Sequence, residues 1–142
     1  MTEMDHRAAE VATKYTQTTG RAKLVSRALK AVQEGRVKKH EFLPSKRVLF
    51  TVVGRSGDEF VDPEKPFCSC EDFFFTVLGG RSLTCYHLLA YAIADEAGKF
   101  SEARFHDEEF SYFIELLSAD LLTRMGDKED KQSRDRSDTV PR

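Results

Sequence analysis

The sequence predicts an α+β domain in which a small antiparallel β-meander leads into a cysteine-rich knuckle, with helices before and after it. Three observations predict it. Apolar residues recur at helical spacing near both ends of the chain, and the stretch between them holds short β-branched and aromatic runs broken by Pro and Gly. All three cysteines fall with one of the four histidines inside residues 68–87, CSCEDFFFTVLGGRSLTCYH.

Taken in order, residues 4–16 place Met4, Ala8, Val11 and Tyr15 on one helical face. A second helix is predicted over 20–34, where Val25, Ala28, Leu29 and Val32 form a stripe that stops before Gly35. Residues 1–35 are thus N-terminal helices. After Gly35 the period changes: VKKHEFL and KRVLFTVV read as strands separated by Pro44-Ser45. Gly54 and Gly57 permit the positive φ of a hairpin turn, and EFVD is a third strand before Pro63 and Pro66. Residues 85–97 return to helical composition, with Leu88, Leu89, Ala92 and Ile93 on one side and Gly98 as the stop, so 36–98 is meander and knuckle. The segment 99–126 carries a last helix from about Asp107 to Met125, on Phe110, Phe113, Ile114, Leu117 and Leu121. The tail 127–142 has one large aliphatic residue among five basic and five acidic side chains, and is expected to be disordered.

A chain of 142 residues has material for one modest core. No apolar run approaches the roughly 20 residues that span a bilayer, so no membrane role is expected. The start, MTEMDHRAAEVATKY, lacks the apolar core of a signal peptide, and the expected location is cytoplasmic, or nuclear in a eukaryote. An odd number of cysteines in a reducing compartment points away from a disulfide framework and towards metal or catalytic use. Charge is uneven: residues 1–49 carry a net +6 and residues 50–126 a net −8.

The knuckle divides into Cys68-x-Cys70, fourteen residues, and Cys85-x-His87. Two pairs of sulfur and imidazole donors supply the four tetrahedral ligands of structural zinc, which makes this a Cys3His zinc knuckle for one structural Zn2+. In extended chain the side chains of 68 and 70 point the same way. On a helix 85 and 87 diverge by about 200°, so Cys85 belongs at a helix entry with His87 reaching back from the first turn and Thr84 as N-cap. The helix dipole there favours thiolate. Three thiolates and neutral His87 around a divalent ion leave one excess negative charge, which calls for amide or cationic donors, Arg81 among the candidates.

This arrangement, C-x-C, a variable loop, then C-x-H heading a Leu-rich helix, resembles the SWIM zinc-finger family over residues 36–98. CSCEDFFFTVL and CYHLLAYAIA are similar to the corresponding parts of stand-alone archaeal SWIM proteins and of the SWIM subunit of Shu-type recombination complexes. The resemblance implies Cys68, Cys70, Cys85 and His87 as zinc ligands. It also implies a non-catalytic binding module acting with a RecA-family recombinase paralogue in homologous recombination. Tyr86 departs from the pattern, since relatives often have Lys or Arg between the last two ligands.

Other readings compete. Cys85 with His87 as base is a candidate nucleophile, but residues at i and i+2 seldom align for catalysis. A fourth protein ligand closes the coordination position that catalytic zinc needs, and the H-x-E and P-C-x-x-C elements of deaminases are missing, so no enzyme and no small-molecule substrate are expected. Phe73, Phe74 and Phe75 are expected to pack around the knuckle in a short helix rather than stack on bases. Direct DNA binding would use Lys23, Arg27 and Lys30, opposite the apolar stripe of the second helix, with Arg36, Lys38 and Lys39 beyond. On the last helix Tyr112, Leu116 and Ala119 form a second strip for a protein partner or for burial. His6, His40 and His106 lack partnered spacing and are expected at the surface.

Overall fold

The computed structural model describes residues 2–139 apart from 56, 72, 74–76, 78 and 81–83, with side chains described to 124. The expectations for Phe74, Phe75 and Arg81 lie outside the described residues. Two compact units are present, Met1–Asp107 and Glu108–Arg142.

The first unit begins with two helices, α1 (Glu3–Thr19) and α2 (Ala22–Gln33). Thr2 and Asp5 form a reciprocal capping box at the start of α1. Strands β1 (Val37–Leu43), β2 (Arg47–Val53), β3 (Asp58–Asp62) and β4 (Phe67–Cys68) follow, then α3 (Tyr86–Ala97) and β5 (Ser101–His106). The sheet order is β4-β3-β2-β1-β5, with the first four strands antiparallel and β5 parallel to β1. The meander is therefore as expected. The segment 101–106, assigned no strand above, completes the sheet.

Alternation sorts the sheet into two faces. Val37, Val52 and Val61 look towards the helices, where they join Val25, Ala28, Ala31 and Val32 of α2 and Leu89, Ala90, Ile93 and Ala94 of α3 in one buried cluster. α2 and α3 pack together, α1 touches both, and α3 reaches β1 to β4. The alanines allow close approach of the helices, and Ala8 and Ala12 of α1 are buried likewise. Phe50, Tyr91 and Phe100 extend this core as a ring cluster with centroids 4.8–5.7 Å apart.

The other face carries Phe42 stacked on Phe105 at 5.3 Å, and His40 with its Nε2 2.9 Å from Thr51 Oγ1. His40 is buried, contrary to the surface placement expected of it: its position on β1 puts it between Lys38 and Phe42 on an inward face. His6 and His106 are exposed.

The second unit holds α4 (Phe110–Thr139), entered through a 3₁₀ turn at Asp107–Glu109. Phe110, Phe113, Ile114, Leu117 and Leu121 are half-buried, whereas Tyr112, Leu116, Ala119 and Leu122 are exposed. The backbone stays helical to Thr139, beyond Asp127 where composition predicts order to end. Lys, Glu, Gln and Arg in this stretch are good helix formers even without a packing surface.

Candidate metal centre

The sheet edge and the entry to α3 bring the two halves of the knuckle together. β4 pairs with β3, which places Cys68 opposite Val61. Ser69 carries the ladder one residue further, its amide donating to Phe60 O at 3.0 Å while its Oγ accepts from Phe60 N at 2.9 Å. The same hydroxyl donates to the buried Glu59 carboxylate at 2.7 Å. Ser69 is thus fixed on two sides, and Cys68 and Cys70 on either side of it project together into the core.

The second half is set by the helix. Cys85 is the N-cap of α3, with extended φ −101° and ψ 168°, and its carbonyl accepts the first helical bond from Leu89 N at 3.1 Å. This corrects the assignment of Thr84, whose hydroxyl instead donates to Cys85 O at 3.2 Å. The physical reason lies in the backbone: Cys85 is the extended residue whose carbonyl opens the helical ladder, which leaves Thr84 one residue outside it. Burying a thiolate at a helix N-terminus brings it amide donors directly.

The donor atoms of Cys68, Cys70, Cys85 and His87 all lie within 4.8 Å of one another, and all four residues are buried. Zinc bonds of about 2.3 Å to sulfur require donors about 3.8 Å apart, a small contraction of this cluster. His87 Nδ1 is buried and has no hydrogen-bond partner among the described residues, an orphaned polar atom that a metal would satisfy. A Cβ built on Gly54 would come within 3.0 Å of His87 Nε2 and of Tyr86 Oη. The chemistry of the donors, their convergence and the orphaned nitrogen fit one Zn2+. Bound there, the ion would cross-link the sheet edge to α3 and supply folding free energy.

Protonation of the sulfurs follows the same geometry. Cys85 is held down to about 4, first by S–H donation from Cys68 and Cys70 and then by the amides of Leu88 and His87. Cys68 is pushed up, chiefly by the hydrogen bonds that tie its proton to the other two sulfurs. The excess negative charge of three thiolates is met in part by backbone, since Phe73 N donates to Cys70 Sγ at 3.3 Å. Phe73 itself is buried, edge-on to Phe67 at 5.3 Å. Four protein ligands leave no open position for water, so the donor set is that of a structural and not a catalytic site.

Of the two turn glycines, only Gly57 takes a positive φ, at 135°. Gly54 is small for a different reason, namely the closeness of Tyr86 and His87. Tyr86 stacks beside the His87 ring at 3.9 Å and carries the Arg27 guanidinium over its own ring at 4.2 Å. A cation thus stands beside the C-x-H pair although residue 86 is aromatic, because α2 provides it. Nothing in the linear spacing of Arg27, Gly54 and Tyr86 signals this contact.

The remaining candidates are dispersed. Lys23, Arg27 and Lys30 are exposed on α2. Arg36 is engaged, with Nη1 donating to Val53 O at 2.9 Å and Nη2 3.7 Å from Glu34. Lys38 and Lys39 are half-buried and alternate between the two sheet faces.

Comparison with known proteins gives one relative of note: the Dictyostelium discoideum protein named zinc finger SWIM domain-containing protein 7 homolog is 29% identical over 98 residues, which are 68% of this chain and 62% of that protein. The chain thus spans less than two thirds of the relative's length. No family model matches the sequence and no solved structure matches it. The chain is weakly homologous to a SWIM-domain protein and carries a Cys3His cluster consistent with a SWIM-type zinc finger.

Proposed function

We propose that this chain is a zinc-stabilised, non-catalytic adaptor of the SWIM type that acts with a RecA-family recombinase paralogue in homologous recombination and DNA repair. The closed Cys3His donor set is the observation that carries the adaptor reading, because it builds a rigid module and no reaction centre. The identity of the partner rests on the resemblance of the knuckle to SWIM subunits of recombination complexes. The exposed strip Tyr112, Leu116 and Ala119 on α4 is the surface we assign to it. Affinity purification of the full chain from native cells should recover a RecA-like ATPase. Tyr112→Asp with Leu116→Asp should abolish that recovery while zinc content stays unchanged. Recovery of no RecA-like or repair protein would overturn the reading.

A second reading, direct sequence-independent DNA binding, is favoured by one contact. The Arg27 guanidinium is held over Tyr86 beside the knuckle, with Lys23 and Lys30 one helical turn either way on the same exposed face. Arg36, Lys38 and Lys39 contribute less, since they are engaged or half-buried. Fluorescence anisotropy with single- and double-stranded DNA across a salt series tests it. Binding whose log–log salt slope falls by about one for each of Lys23→Ala and Lys30→Ala supports phosphate contact. No binding at low salt removes this reading and leaves the adaptor.

A further inference from the structure

Lys23, Arg27 and Lys30 are exposed on one face of α2, at spacings of four and three residues, and Arg55 is exposed in the hairpin between β2 and β3. None of these four cations forms an ion pair among the described residues. Lys14, Arg36, Lys99 and Arg104, by contrast, stand against Glu96, Glu34, Asp5 and Glu41.

Packing brings Arg55 to the same place as the other three. Gly54 sets the hairpin against Tyr86, since a Cβ there would stand 3.0 Å from Tyr86 Oη. The Gly54 amide donates to Gly57 O at 2.9 Å, which closes the tip and keeps Arg55 beside that contact. Over the Tyr86 ring lies the Arg27 guanidinium, 4.2 Å from its centroid. Tyr86 stands between Cys85 and His87, so the ring that joins hairpin to helix is anchored at the metal centre. The carboxylates that follow the hairpin turn away: Asp58 alternates onto the sheet face opposite Val61, and Glu59 is buried. The first unit ends at Asp107, whose carboxylate accepts from Ser45 in the β1–β2 turn. That turn lies at the opposite end of β2 from the hairpin, roughly 20 Å along the strand.

We propose that Arg55 joins Lys23, Arg27 and Lys30 in one phosphate-binding surface for a nucleic-acid strand, with Tyr86 as the positioning residue that fixes Arg27 beside the hairpin. This rests on the direct-binding reading above and extends it to the β2–β3 hairpin. Unpaired cations on two elements suit backbone phosphates, which need charge and carry no sequence information. A guanidinium stacked on a ring keeps its N–H donors in its own plane, free for a phosphate. An acidic protein segment fits less well, because protein interfaces centre on apolar anchors and Tyr86 is buried under Arg27.

Fluorescence anisotropy of the zinc-loaded full chain, with single- and double-stranded DNA over a salt series, reads each contact as a change in log–log slope. Arg55→Ala should make the slope shallower by about 0.9 on duplex or about 0.7 on single strands, as Lys23→Ala does. Lys65→Ala, an equal change of charge in the exposed turn after β3, should leave it unchanged. Tyr86→Phe keeps the ring and should bind as wild type. Tyr86→Leu should lose what Arg27→Ala loses, and the two combined should lose no more. Zinc content and circular dichroism accompany every variant, and Arg55→Ala, in an exposed turn away from the ligands, carries the test by itself. A wild-type slope in Arg55→Ala beside a shallower one in Lys23→Ala would overturn this inference and leave the direct-binding reading in place. No binding by wild type at low salt would overturn both. Tighter binding of poly-glutamate than of either DNA would overturn it in favour of an acidic peptide.

Discussion

Gly54→Ala should loosen the metal centre, although residue 54 is not a ligand and its backbone takes no left-handed φ. The added methyl would stand 3.0 Å from both His87 Nε2 and Tyr86 Oη, and 3.7 Å from Gly57 O. Ordinary contacts lie at about 3.5–4.0 Å, so each of the two side chains must retreat by about 0.5 Å or more. His87 has little room to do so while one of its ring nitrogens stays with three sulfurs inside a 4.8 Å cluster. Tyr86 is held too, between the His87 ring and the Arg27 guanidinium. Overpacking of this kind costs about 1–3 kcal/mol. The zinc-free chain can relax around the methyl, so the cost falls on the metal-bound form and zinc affinity drops roughly 5- to 150-fold. Competition with a chromogenic chelator measures it. The same substitution in a Tyr86→Phe background should cost less, because one of the two clashes is gone. Zinc affinity of Gly54→Ala within about twofold of wild type would refute the packing argument.

Three further predictions concern the scaffold. Lys99 forms a largely buried ion pair with Asp5 and also donates to Gln33 O at 3.4 Å, so Lys99→Met should cost about 3 kcal/mol in urea unfolding, and Asp5→Asn added to it should cost less than the sum of the two changes. A loss below about 0.5 kcal/mol would contradict the pairing. Tyr15 donates to Glu96 at 3.0 Å, and burial followed by that bond pushes its phenol up to about 12. Its contribution to stability is full below the ordinary value of 10.0 and is lost as pH rises through about 12; unfolding followed from pH 9 upward should show this loss in wild type and not in Tyr15→Phe. Burial, then the Lys38 ammonium, holds His40 below its ordinary 6.5. The neutral imidazole therefore stabilises the fold above 6.5, and this is lost as pH falls through the lower folded value; an NMR titration of His40 with a midpoint above 6.5 would contradict its buried position.

The sequence was most legible where local chemistry dictates structure. α2 and β1 to β3 fall within two residues of expectation, because an apolar stripe ending at Gly35 and β-branched runs between turns carry their own periods. The four donors were legible because zinc demands paired ligands. β5 was not, since SEARFH has only two apolar residues and pairs in parallel with a strand some sixty residues earlier, without a hairpin signal. His40 was misread for a related reason: alone among charged neighbours, its burial depends on Thr51 and Phe105, which lie on other strands. The cap of α3 was placed one residue early because Thr is a favoured capping residue and Cys is not, and Cys85 takes the position through its extended backbone alone. The closeness of Gly54 to His87 belongs to tertiary packing and has no signature in the local sequence.

The central claim is that Cys68, Cys70, Cys85 and His87 hold one structural zinc that ties the sheet edge to α3. Metal content of the purified chain, measured beside Cys70→Ser and His87→Ala with the helicity of each, tests it most directly. The account predicts one zinc per wild-type chain, loss of metal and of local order in both variants, and thiols that alkylate only after a chelator is added. Apparent zinc affinity in small fingers, about 10–16 kcal/mol, rivals the whole stability of a domain, so the loss should be large. Full zinc content with unchanged helicity in both variants would contradict it.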